Sequence, residues 1–88
     1  MSYSYAQERP FVFTEDGQVN FLAIRDEANR LCNLAGAVDV IHLMKVGTVD
    51  TFQTLACIDR LVELKEFRWA NQDYATQRHI LQRIERNA

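Results

Sequence analysis

From Gly47 to Lys65 the apolar positions recur every three or four residues. At about 100° per residue, Thr54, Leu55, Cys57, Ile58, Leu61, Val62 and Leu64 share one broad face. Phe52, Gln53, Ala56, Asp59, Arg60 and Glu63 share the other. The spacing predicts a helix over 50–65, docked on a core by one face and presenting the second. Gly47 can close what precedes it, and Asp50 or Thr48 can cap the free N–H groups of the new first turn.

A second stripe lies upstream. Phe21, Ile24, Ala28, Leu31, Cys32 and Ala35 fall within roughly a 100° arc, so a first helix is expected from a cap at Asn20 to about residue 34. Arg25, Asp26, Asn29, Arg30 and Asn33 cover its outside, with Asp26 and Arg30 in the favourable order for a pair four apart. Gly36 breaks the stripe and leaves a brief extended step. Asp39 then caps a short helix, Val40 to Lys45, with Val40, Leu43 and Met44 inward and His42 and Lys45 outward. Residues 46–49 make a tight connection.

After Leu64 the period changes to two. Glu66-Phe67-Arg68-Trp69-Ala70 alternates as a strand does, residues 71–76 form a polar turn, and Gln77 to Arg83 can return as the second strand of a hairpin. Tyr74, Gln77, Ile80, Leu81 and Ile84 also fit a helical stripe, so the return segment stays open between strand and helix. At the other end, residues 1–10 read as a loose arm ending at the sole proline, Pro10. Phe11-Val12-Phe13 follows as a short extended run, closed by the turn-like Thr14-Glu15-Asp16-Gly17. Residues 1–19 are therefore expected as an arm and residues 20–88 as one folded domain.

In this order the elements resemble the winged helix-turn-helix superfamily. Ala37-Val38-Asp39-Val40-Ile41-His42-Leu43-Met44 is similar to the family's "(S/T)-V-x-E-L-A" second helix. Residues 54–64, TLACIDRLVEL, resemble a recognition helix ending "L-x-x-L-V-E-L-G", and Gln77-Arg78-His79-Ile80-Leu81 the return strand of a wing. The resemblance covers about residues 20–84. It implies an α+β, mainly α fold: three helices near 20–34, 39–46 and 50–65, then a C-terminal two-stranded β-hairpin wing. Three departures bear on function. Lys65 stands where the family usually places Gly, Asp59 and Glu63 oppose a phosphate backbone, and the wing turn Asp73-Tyr74 has only Arg68 and Arg78 near it.

Two functions follow from the resemblance. The first is a small DNA-binding transcriptional regulator acting on double-stranded DNA as a homodimer. Gln53 and Arg60 would reach base edges or phosphates, and Arg68, Arg78 and Arg83 would contact the backbone. The alternative is a winged-helix module that binds protein, with Phe11, Phe13, Phe52, Trp69 and Tyr74 as anchors. Phe11 and Phe13 can instead pack on their own core, and Trp69 against the first helix.

Composition narrows the choice. Over 88 residues the net charge is −2, which gives no bulk attraction for nucleic acid or anionic membrane. The charge is uneven: 10 of the 12 acidic side chains precede residue 67, but only 6 of the 10 basic ones do. An apolar content of 48% and a charged content of 25% fit a single globular domain whose small core must be well filled. Cys32 and Cys57 fall on core stripes and read as buried reduced thiols, and no spacing of Cys and His suggests zinc. His42 has no second ligand at helical spacing and reads as a surface histidine. No apolar run reaches the ~18 residues that span a bilayer, and MSYSYAQERP lacks the order of a signal peptide, so a cytoplasmic protein is expected. The absence of a paired-carboxylate, Ser/His/Asp or Cys/His constellation and of a Gly-rich phosphate loop argues against an enzyme and against a cofactor.

Overall fold

A computed structural model describes residues 2–47, 49–70 and 79–85. Among them are three α-helices and a three-stranded antiparallel sheet: α1 (Tyr5–Val12), α2 (Glu15–Ala35), β1 (Val38–Asp39), a 3₁₀ turn (Val40–His42), α3 (Thr51–Glu63), β2 (Phe67–Trp69) and β3 (Ile80–Arg83). The class is α+β and mainly helical, and the layout is compatible with a winged-helix-like arrangement.

The central helix forms where its pattern places it. Asp50 Oδ1 accepts from the Gln53 backbone N–H at 2.8 Å, and Gln53 Oε1 accepts from the Asp50 N–H at 3.4 Å, a reciprocal capping box. Cys57, Ile58 and Leu61 are fully buried against α2 and the sheet. Two faces differ from expectation. Ala56, placed outside by the helical wheel, is fully buried, and Leu64, placed inside, is 36% exposed. Ala56 is inward because α3 is covered from two sides.

The second cover is α1, which replaces the expected arm and extended run. Ser4 is the extended cap residue and the helix runs through Phe11 to Val12, so residues 11–12 are helical rather than strand. Propensity for strand gives way to burial: Val12 is fully buried, and Tyr5 and Phe11 pack against the core. Pro10, inside the helix, cannot donate to the Ala6 carbonyl, but Ala6 is exposed, so water can serve that oxygen.

α2 begins five residues before the expected cap. Thr14 Oγ1 accepts from the Gly17 N–H at 3.0 Å, with Glu15 and Asp16 in the first turn where the helix dipole favours acids. Gly17 lies in the helix because its missing Cβ leaves room for the Phe11 carbonyl oxygen. Asn20, no longer a cap, is buried and donates to the Asp16 carbonyl at 2.9 Å. Its Oδ1 occupies the place of a Cβ at Gly47, so Gly47 serves close approach rather than a left-handed helix end. Gly36 does take that role, closing α2 at φ 82°. The Asp26–Arg30 pair does not form: Arg30 Nε bonds Glu27 at 2.7 Å, and Asp26 faces Arg25 at 3.9 Å.

The expected second helix shrinks to one 3₁₀ turn. Asp39 caps it through the Ile41 N–H at 3.0 Å, and Val40 and Leu43 point into the core as expected, with His42 and Lys45 outside. The return segment is strand: β3 lies between β1 and β2, with Val38 opposite Leu81 and Trp69 opposite the same Leu81 on the other side. The brief extended step thus adds a third strand to the expected pair. Residues 71–78, on which the wing turn falls, lie outside the described residues.

Candidate functional site

The outer face of α3 is where the resemblance puts recognition, and α1 lies across it. The Tyr3 hydroxyl donates to Asp59 Oδ2 at 2.6 Å, and its ring meets Phe52 edge-on at 5.7 Å between centroids. The Tyr5 hydroxyl donates to Glu63 Oε1 at 2.7 Å. Arg9 Nε reaches both Glu63 oxygens, at 3.1 and 3.2 Å, and Arg60 Nη1 reaches Oε1 at 2.6 Å. Glu63 therefore gathers one hydroxyl and two guanidiniums. Both guanidiniums also stand over the Phe13 ring, at 4.9 Å for Arg9 and 5.0 Å for Arg60.

The electrostatics follow from this geometry. The hydrogen bonds from Tyr5, Arg60 and Arg9 hold the Glu63 carboxyl down to about 2. Burial, reinforced by the hydrogen bond to Glu63, pushes the Tyr5 hydroxyl up to about 12. Tyr3 is raised as well, by burial first and then by Asp59. Both tyrosines are thus neutral donors at physiological pH.

The residues expected to reach base edges or phosphates are engaged within the fold. Gln53 completes the helix cap, and Arg60, with 22% of its side chain exposed, is bound between Glu63 and Phe13. Of the expected backbone contacts, Arg68 is exposed on β2 and donates to Gln82 Oε1 at 2.7 Å. Arg83 donates to Asn29 Oδ1 at 3.2 Å and lies 3.6 Å from Glu85, beside a cavity of about 360 Å³ floored by Phe67 and Ile84. Arg78 lies outside the described residues. Among the described residues, no contact brings Arg68 or Arg83 together with Gln53 and Arg60.

The expected protein anchors also divide. Phe11 is half-buried on the core, Phe52 is half-buried under Tyr3, and Trp69 is buried in the sheet. Tyr74 lies outside the described residues. Phe13 alone of these, among the described residues, stands 51% exposed. Tyr3 and Tyr5 stood out only as aromatic surface on an arm, and their bonds and that of Arg9 to the α3 carboxylates were not foreseen. Their signal was the spacing Tyr5, Arg9, Phe13, four apart each time, which matches a helix better than an extended arm.

A second, mainly apolar cleft of about 250 Å³ opens between Leu31, Leu34 and Ala35 of α2 and Val38, Asp39 and His42. Among the described residues, no three His, Cys, Asp or Glu side chains are placed to hold a metal ion, and no helix is long and apolar enough to cross a membrane. Cys32 and Cys57 are both buried and unpaired. Burial raises the Cys57 thiol to about 11, far from the thiolate form that reacts at neutral pH. Comparisons with protein-family models, with curated proteins and with solved structures find no match.

Proposed function

We propose that this chain is a winged-helix-like module that engages another protein. The element order from α2 through the 3₁₀ turn to α3 and the sheet, with strand order β1-β3-β2, supports the winged-helix part of the reading. The observation that carries the choice of partner is the seam between α1 and α3. A helix that reads the major groove needs its outer face free, whereas here Phe52, Asp59, Arg60 and Glu63 are all engaged by α1 or by residues flanking it. Opening that face would expose the buried Val12 and release Glu63 from Tyr5 and Arg9. The net charge of −2 works in the same direction, since it repels a polyanion.

A DNA-binding regulator, acting as a homodimer, is the second reading, and exposed Arg68 is the observation in its favour. Fluorescence anisotropy with duplex DNA near 100–150 mM salt separates the two. The protein-binding reading expects no affinity better than about 10⁻⁴ M, the weak end of nonspecific binding. Sequence-dependent binding tighter than about 10⁻⁷ M would overturn it and restore the DNA reading.

A further inference from the structure

Resting on that protein-binding reading, we infer that the Arg9–Phe13–Arg60 cluster is the docking point for a partner segment that carries a carboxylate beside an apolar side chain. Each guanidinium gives Glu63 a single nitrogen, Nε from Arg9 and Nη1 from Arg60, so neither forms the two-pronged pair that exhausts an arginine. Two positive charges share one carboxylate, and the third donor to it, Tyr5, is neutral. The cluster keeps N–H donors and a unit of positive charge in excess. Next to them is the half-exposed ring of Phe13, an apolar surface bordered by two cations.

Glu63 also fixes both arginines before any partner arrives. The rotamer entropy that usually opposes an arginine contact is already lost in the free protein, which favours binding. Arginine and aromatic side chains held in this way are the types that dominate interface energies. The charge around the cluster selects the ligand. Glu8 precedes Arg9 on α1 and Asp59 precedes Arg60 on α3, and the whole chain is acidic, so each phosphate of a polyanion beyond the first meets repulsion. One carboxylate satisfies the excess charge; a row of phosphates does not.

The experiment is an NMR titration observing the Arg9 and Arg60 Nε–H signals. The probes are two end-blocked peptides, Gly-Leu-Glu-Leu-Gly and the same peptide with Gln for Glu, together with inorganic phosphate and a short DNA duplex. The Glu peptide is expected to shift both signals and to bind about tenfold more tightly than the Gln peptide, since hydrogen bonds to a charged group are the stronger ones. Phe13→Ala and Arg9→Ala should each abolish the shift while the backbone spectrum elsewhere stays unchanged. Phe13→Leu, which keeps an apolar side chain should the alanine variant unfold, should retain most of it. Equal response to the two peptides, or none, overturns the inference. So does a stronger response to phosphate or duplex. Peptide binding that moves other residues and leaves Arg9 and Arg60 unmoved overturns the inference but leaves the protein-binding reading standing; duplex binding at the tight affinity given above removes that reading itself.

Discussion

The Tyr5 hydroxyl donates to Glu63 Oε1 at 2.7 Å, joining positions 58 residues apart in the chain. This bond and the two arginines beside it tie α1 to α3, and they make that seam sensitive to pH at both extremes. The Glu63 carboxyl is held at about 2, below its ordinary 4.5, so the stability it contributes is complete above pH 4.5 and is lost as pH falls toward 2. Tyr5 is raised from 10.0 to about 12, so its contribution is complete below pH 10 and is lost as pH rises toward 12. Thermal melts across pH should therefore fall off in both windows. Glu63→Gln should flatten the acid limb between pH 4.5 and 2; an unchanged acid limb would mean that Glu63 is not held by these partners.

Gly17→Ala is expected to destabilise. In an open helix this substitution stabilises by about 0.5–1 kcal/mol, because glycine is the weaker helix former. Here the new methyl group would coincide with the Phe11 carbonyl oxygen and press on the Val12 carbonyl carbon at 2.9 Å. These are backbone atoms, so α1 must shift as a unit, and a loss of about 1–3 kcal/mol is expected from overpacking. Urea denaturation of the two proteins checks the sign. A gain would show that α1 does not approach α2 this closely.

Lys65→Gly is expected to stabilise. Lys65 adopts φ 61°, the left-handed region. It closes α3 with its own N–H on the Val62 carbonyl at 3.0 Å and the Glu66 N–H on the Leu61 carbonyl at 3.1 Å, the paired bonds of a Schellman end. A side chain there costs roughly 1–2 kcal/mol that glycine avoids, while glycine's greater freedom in the unfolded chain returns part of it. The net gain should be about 0.5–1 kcal/mol, read from the same denaturation curves.

Thr54→Val is the third substitution with a definite sign. The Thr54 hydroxyl is buried without a hydrogen-bond partner on the core face of α3. Valine keeps the shape and the β-branch and removes the unsatisfied group, so stability should rise by about 1 kcal/mol. Thr54→Ser, which keeps the hydroxyl and deletes a methyl, should lower it by a similar amount. If both variants lose stability, the hydroxyl has a partner in solution.

Period and capping chemistry were enough to locate the central helix, the apolar stripe from Phe21 to Cys32, the strand at Phe67–Trp69 and the inward Val40 and Leu43. Each of these depends on contacts within a few residues or on one buried face, and both leave a repeat in the sequence. The strand at Ile80–Arg83 was open to either reading because its residues fit both periods. Pairing with β1 and β2, distant in the chain, decided it. The same limit explains the seam. Phe11-Val12-Phe13 carries strand propensity, yet Val12 is buried and Tyr5 finds Glu63 only when the run is helical and laid across α3. Nothing local to residues 3–9 encodes the carboxylates at 59 and 63 that receive Tyr3, Tyr5 and Arg9. The sequence by itself determined which segments could bury a face; only the tertiary structure decided that the outer face of α3 is covered, because that cover is a contact between segments more than fifty residues apart.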